Sequence, residues 1–309
     1  MVKRERWGKN YVDRRDWRKY NEKLVRRGEL YLSLDFLEDW DKELERMNKG
    51  KRGRPFEYPE QFIMFVAFIY IILHMPYRQM EGFLRKLSEF VPQLKAPDYT
   101  TLFKRIKKLE LSLASTIPER NGDIVIAVDS TGIKVTNRGE WMRKKWKVRR
   151  GWIKVHIAVD VDEEFIVSIE VTDEKVSDSE KFEDLIEGAE RNIGDRKISK
   201  TLGDKGYDSK RNFNILYEKN IGAGILPKKN ASTRSRGSPY RAKCVRELRD
   251  KGYNKWKEDT GYGKRWIAES IFSAVKRISG EYVRATSMKG MWREVKMKFI
   301  FYNMLLNMA

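Results

Sequence analysis

The middle third of the chain does most to restrict its fold. Ile124-Val-Ile-Ala-Val128 is a buried-strand run that ends at Asp129-Ser-Thr-Gly. Lys154-Val-His-Ile-Ala-Val-Asp160 and Phe165-Ile-Val-Ser-Ile-Glu-Val171 read as two more strands, joined by the acidic turn Asp162-Glu-Glu. The pattern then alternates. Asp178 to Ala189 is helical, Ile198-Ser-Lys-Thr-Leu202 is a strand, about 209–219 is helical, and Gly222-Ala-Gly-Ile-Leu226 is a short strand. Three consecutive strands followed by strand–helix alternation specify a mixed α/β sheet flanked by helices.

Functional side chains in open α/β sheets emerge at strand ends. Asp129 and Asp204 each follow a buried strand immediately, and both are succeeded by small or glycine residues. If their strands are neighbours, the two carboxylates converge. A later segment, Tyr262-Gly-Lys-Arg-Trp-Ile-Ala-Glu269 to Lys276, separates into two faces at about 100° per residue. Tyr262, Arg265, Glu269 and Lys276 share a stripe roughly 60° wide, while Ile267, Ile271, Ala274, Val275 and Ile278 form the opposite apolar face. Taken alone, this is also what a surface helix with an Arg265–Glu269 i,i+4 pair looks like. Beside the two aspartates, Glu269 completes a three-carboxylate cluster. Such a cluster is unfavourable unless a cation neutralises it, and two Mg²⁺ ions about 3.5–4 Å apart suit phosphoryl transfer.

Charge points the same way. Of 309 residues, 65 are Lys or Arg against 45 Asp or Glu, a net charge of +20. That excess favours a polyanionic partner, most often nucleic acid, with an anionic membrane surface as the competitor. The one long apolar run, Phe62 to Met75, is too short to span a bilayer and stops at Pro76, so it reads as a buried helix. No secretory signal is visible at the N-terminus. Cys244 is the lone cysteine, which excludes an intrachain disulfide and fits a reducing cytoplasm. With only His74 and His156 beside it, a Cys/His zinc site is excluded by counting, and any metal must be a hard cation held by carboxylates.

Upstream, residues 1–54 are polar and basic, with Trp7, Trp17 and Trp40, and with Leu24 to Leu37 suggesting helical pieces that need a partner surface. Lys49-Gly-Lys-Arg-Gly-Arg-Pro55 reads equally as a flexible connector or a DNA contact. Three helices follow to about Leu113, the last capped by Pro97-Asp-Tyr-Thr-Thr101 and basic through Lys104 and Arg105, a helix-turn-helix pattern. Trp141 to Trp152 interleaves three tryptophans, Trp141, Trp146 and Trp152, with Arg143, Lys144, Lys145, Lys147, Arg149 and Arg150. This suits a DNA backbone and an unstacked base, or a hairpin whose tryptophans cover the sheet. His74 and His156 read as structural, Asp160 and Asp162 as turn acids, and Asp208 as the cap of the following helix. Pro227 to Lys257 is a long basic excursion, expected to be functional or mobile as loops of that length are. The C-terminal helix, roughly Arg293 to Leu306, is expected only to pack.

The spacing Tyr262-x2-Arg265-x3-Glu269-x6-Lys276 resembles the Y-R-E-K signature of DDE-type insertion-sequence transposases. Val128-Asp129-Ser-Thr-Gly and Gly203-Asp204-Lys-Gly-Tyr-Asp208 resemble that family's first and second aspartate motifs. Arg52-Gly-Arg-Pro-Phe-Glu-Tyr, Arg78-Gln-Met-Glu-Gly-Phe83 and Pro97-Asp-Tyr-Thr-Thr-Leu102 are similar to the N-terminal region of the insertion-sequence-five branch. The resemblance implies a ribonuclease-H-like catalytic fold over 119–309, with a basic insertion at 227–260, after a helical DNA-binding region at 55–118 and a basic segment and linker at 1–54. It implies Mg²⁺-dependent nicking at terminal inverted repeats and joining of the freed 3′ ends to target DNA. Asp129, Asp204 and Glu269 would hold the metals, with Mn²⁺ as the alternative ion. Tyr262, Arg265 and Lys276 would position the DNA end through its phosphates. Double-stranded DNA is the expected partner, with at least a dimer on it. Two rivals remain at this point: a DNA-binding protein that retains the fold without strand transfer, and a nuclease that hydrolyses but never joins.

Overall fold

The computed structural model describes residues 2–6, 9–13, 16–135 and 151–307. Arg143, Lys144, Lys145, Trp146, Arg149 and Arg150, with Trp141, lie outside the described residues. The chain opens with an antiparallel hairpin, β1 (Val2–Arg6) and β2 (Lys9–Asp13), for which the polar sequence carries no alternating signal. Helices α1 (Trp17–Glu29) and α2 (Trp40–Asn48) follow, then α3 (Glu60–Ile72), α4 (Tyr77–Phe90) and α5 (Tyr99–Lys108). The Asp98 side chain caps α5 by accepting from the Thr100 and Thr101 amides. Of the apolar N-terminal residues, Phe36 is buried, whereas Leu24, Val25 and Leu32 remain exposed.

Strands β3 (Ile124–Lys134), β4 (Trp152–Asp160), β5 (Ile166–Asp173), β6 (Ile198–Gly203) and β7 (Gly222–Ile225) form one sheet in the order β5-β4-β3-β6-β7. The β5, β4 and β3 pairings are antiparallel, and β3, β6 and β7 run parallel. Helices α6 (Phe182–Asn192), α7 (Lys210–Glu218) and α8 (Pro239–Thr260) are joined by α9 (Trp266–Ser279) and α10 (Met288–Asn307). Side chains of a strand alternate between faces, and two cores show it. Ala127, Ile133, Val155 and Ile157 pack with Ile271, Val275 and Phe299 of α9 and α10. Ile126, Val128 and Ala158 pack with Phe182, Leu185 and Phe213 of α6 and α7. A mixed sheet between two helical layers is the expected ribonuclease-H-like arrangement.

Three expectations need correction. The strand bearing Asp129 does not end there. β3 runs on to Lys134, paired with β4 as far as Trp152, although its parallel partner β6 is last registered at Ala127↔Leu202. The basic excursion is mostly helix, because Pro239 opens α8 and Cys244 and Val245 bury one side; Gly252, at φ 72°, breaks it once. The C-terminal helix does more than pack. Asn303 lies beside β5, donating to the Ile166 carbonyl (2.8 Å) and accepting its N–H (3.0 Å), so it satisfies a backbone that, among the described residues, no further strand covers.

A third core binds α3, buried nearly all round, to Phe36, Trp40, Met80, Leu84, Leu102 and Ile106, and to Met297, Phe301 and Leu305 of α10. The terminal helix therefore joins the upstream helices to the sheet. Among the described residues no helix is long and apolar enough to cross a membrane.

Candidate active site

Asp129 sits where β3 loses its parallel neighbour. Parity places its side chain on the face of Ala127 and Ile133, toward α9. Asp204 stands at the same level, since each aspartate is two residues past the last β3–β6 register pair, Ala127↔Leu202. Asp129 Oδ1 accepts the N–H of Ser130 (2.9 Å), and Asp204 Oδ1 accepts the N–H of Gly206 (2.7 Å), fixing the tight turn after β6. A Cβ on Gly206 would lie 2.9 Å from Asp204 Oδ1, so any larger residue there pushes on that carboxylate.

The third acid arrives on α9, whose buried residues Ile267, Ile271 and Val275 are those of the expected apolar face. Glu269 is exposed on the other side, and Arg265 spans the gap between the two elements. Its guanidinium donates to Asp129 Oδ2 (3.2 Å) and Glu269 Oε1 (2.5 Å). Lys276, one face further along α9, donates to Thr131 Oγ1 (2.7 Å), and burial lowers its pKa. Burial pushes the Asp129 carboxyl up to about 6, with nearby Asp204 and Glu269 adding to the rise, against the Ser130 N–H and Arg265. A groove of about 600 Å³ runs past Asp129, Thr131, Glu269, Lys276 and Arg277.

Tyr262 is not on the polar stripe of α9. It belongs to a separate 3₁₀ turn, Tyr262–Arg265, and its buried ring packs against Trp256 of α8 with centroids 5.1 Å apart. Of the basic residues of α5, Lys104 is exposed, whereas Arg105 is half-buried with its guanidinium over the Phe56 ring at 4.6 Å. Asp160 accepts the amides of Asp162 and Glu163, as a turn acid does. Asp208 does not cap α7, a task Ser209 performs. It is fully buried and grips Arg241 of α8 through two bonds (2.6 and 2.8 Å), while accepting the Lys228 N–H.

One acid escaped the sequence reading, which saw only a helix start. Asp178 lies against the opposite face of β3 and β4. Its Oδ1 accepts Ser130 Oγ–H (2.5 Å) and Lys154 Nζ (2.7 Å). His156, fully buried, has Nε2 on Thr172 Oγ1 (3.0 Å) and Nδ1 3.7 Å from the same Asp178 oxygen. Thus the β4 face carrying Lys154 and His156 looks to Asp178 and away from Glu269. Trp152 on that face lies over Gly132.

The donor set is all oxygen, which suits a hard cation, and Arg265 supplies positive charge between Asp129 and Glu269. Among the described residues, no three Asp, Glu, His or Cys side chains are gathered closely enough to hold a metal as they stand.

Two family models, both described as Transposase DDE domain, match residues 120–304 and 25–138. An uncharacterized protein of Aquifex aeolicus (strain VF5) is 25% identical over 274 residues, covering 83% of this chain and 80% of that protein. Among solved structures, a piggyBac transposase synaptic complex with hairpin DNA is similar at TM-score 0.38 and 10% identity, covering 91% of this chain and 75% of that one. A Drosophila P element transposase strand transfer complex is similar at 0.35 and 10%, covering 87% and 70%. Both structural likenesses are faint. The first family model, however, spans more than half of the chain and contains Asp129, Asp204 and Glu269, so this protein belongs to the DDE transposase family.

Proposed function

We propose that this DNA transposase cleaves at the terminal inverted repeats of its element and joins the freed 3′ ends to target DNA by metal-dependent phosphoryl transfer. The observation that carries the reading is the Arg265 bridge. Arg265 and Glu269, 136 and 140 positions beyond Asp129 in sequence, bring a cation and a second carboxylate to a partly buried acid within β3. In this reading Asp129, Asp204 and Glu269 hold divalent ions, Mg²⁺ or Mn²⁺. Bound there, they supply charge neutralisation at the phosphate and activation of the attacking oxygen.

The chain's own groups do the rest. Ser130 and Gly206 N–H groups orient the two aspartates. Arg265, released from Glu269, and Lys276 take phosphate oxygens of the DNA end. Tyr262 supports Arg265 from within the 3₁₀ turn, and exposed Lys104, with Arg105 and the Arg143–Arg150 stretch, contacts the DNA backbone. Cleavage by water breaks one phosphodiester and leaves a 3′-hydroxyl. That hydroxyl then attacks a target phosphorus as the target's own 3′ oxygen leaves, so one bond replaces another and no energy source is required.

The test uses purified protein, Mg²⁺ and DNA spanning the gene's own flanks, with every new 3′ end mapped by sequencing beside an Asp204→Asn control. Matched cuts at an inverted pair of sequences, absent in the control, are expected, and pre-cut ends should be joined to a target plasmid. Scattered cuts without joining would mean a nuclease. Binding without metal-dependent cutting would mean a DNA-binding protein only.

A further inference from the structure

Among the described residues, β3 has a strand partner on one side alone between Ala127 and Lys134, where the Lys134–Tyr282 bridge begins. β4 continues beside it to Lys134, whereas the registered pairing with β6 has stopped. Asp129 lies in this half-supported stretch, and its carboxylate takes its orientation partly from the Ser130 N–H. Whatever fixes Ser130 therefore fixes Asp129. The Ser130 side chain points through the sheet to the far face, where Asp178 receives its hydroxyl hydrogen.

Asp178 is well placed to act as a brace. Its own backbone is set by the Ser177–Glu180 capping box at the start of its turn. The oxygen that holds Ser130 also holds Lys154 of β4, and Lys154 donates as well to the Val176 carbonyl (2.9 Å) in the same connection. One carboxylate oxygen thus ties β3, β4 and the segment after β5. The buried Nδ1 of His156 faces that oxygen and, among the described residues, finds no hydrogen-bond partner. The other oxygen borders the second aspartate's turn. Asp178 Oδ2 lies 3.4 Å, and Asp204 Oδ1 2.9 Å, from the point where a Cβ on Gly206 would stand.

We propose that Asp178 is a positioning residue of the active site: acting through Ser130 and Lys154 from behind the sheet, it holds the stretch of β3 that carries Asp129 in line with the turn of Asp204. The inference rests on the assignment of those two aspartates to metal-dependent catalysis. Asp178 touches neither DNA nor the reacting atoms. Its removal lowers the rate of the chemical step and leaves recognition of the DNA end intact.

The experiment compares wild type, Asp178→Asn, Ser130→Ala, the double variant and Asp129→Asn. Single-turnover cleavage of an end-containing duplex, affinity for that duplex, thermal midpoint, and Mn²⁺ binding from the free-ion electron paramagnetic resonance signal are measured for each. Asp178→Asn should cleave about 10–100-fold more slowly and bind Mn²⁺ several-fold more weakly, with duplex affinity and midpoint nearly unchanged. Ser130→Ala should shift both in the same direction, and the double variant should lose less than the product of the two effects. If Asp178→Asn fails to fold, Ser130→Ala still decides: a slower chemical step at an unchanged midpoint supports the brace. An unchanged cleavage rate and Mn²⁺ affinity in a folded Ser130→Ala or Asp178→Asn protein, beside an active wild type, would overturn it. A wild type showing no Asp129-dependent cutting or Mn²⁺ binding would instead overturn the catalytic reading, and the inference would fall with it.

Discussion

At the scale of single residues, Asp129 has the clearest physical signature. Folded, it keeps its proton up to about pH 6, whereas the unfolded chain releases it near 3.8. Between those values the folded state binds more protons than the unfolded state, so this group's contribution to stability falls as pH rises from about 4 to about 6. At neutral pH the buried charge costs on the order of 3 kcal/mol. Asp129→Asn should therefore raise the thermal midpoint in chelator at pH 7.5, and the gain should vanish below pH 4. A lower midpoint for the variant at pH 7.5 would show that the Arg265 contact outweighs desolvation. Gly206→Ala tests the neighbouring turn. The added carbon meets the Asp204 carboxylate, so cleavage should fall at least tenfold while urea midpoints move little. Asp129 and Asp204 were legible because each closes a hydrophobic run before small residues. Asp178 was not, since a polar residue at a helix start ordinarily caps that helix and nothing local shows which strand it faces.

Among the elements, α8 is the least expected and the most informative. Its basic residues made the stretch read as a loop, yet Ala242, Cys244 and Val245 keep a narrow buried side. Asp208 anchors it through Arg241, with the carboxylate fully buried and the guanidinium 15% exposed. Removing one partner of a buried pair costs about 3–5 kcal/mol. Asp208→Ala should accordingly lower the urea midpoint and increase hydrogen exchange along α8. Exchange confined to other segments would mean that α8 docks through its apolar side alone. Helix α9 was readable in advance because one periodic face was apolar. Tyr262 was misplaced because a change from 3₁₀ to α geometry alters the angular step between residues, and sequence spacing carries no mark of that change.

For the whole molecule, α10 is the joint. Phe301 lies in the core of the upstream helices, and Phe299, two residues away and so on the other side of the helix, lies against the sheet. Phe301→Ala should cost about 3–5 kcal/mol. Because α10 serves both cores, fluorescence and circular dichroism should report one shifted transition, and two separated transitions would indicate independent units. The net charge of +20 makes a second global prediction. The logarithm of the DNA association constant should fall linearly with the logarithm of salt concentration, with a slope of magnitude about 5 or more if at least six phosphates are neutralised. A slope near zero would remove electrostatics as the main source of affinity.

The sequence by itself determined the secondary elements of the sheet, the apolar face of α9, the all-oxygen character of any metal site and the positive field. Each of these follows from local periodicity or from counting. Tertiary structure alone decided which strands are neighbours, and so which acids meet. It set Arg265 between Asp129 and Glu269, turned Ser130, Lys154 and His156 toward Asp178, and made Asp208 an anchor in place of a cap. Those outcomes depend on strand order and on face parity across contacts separated by tens to more than a hundred residues, and no local pattern in a chain encodes such a pairing directly.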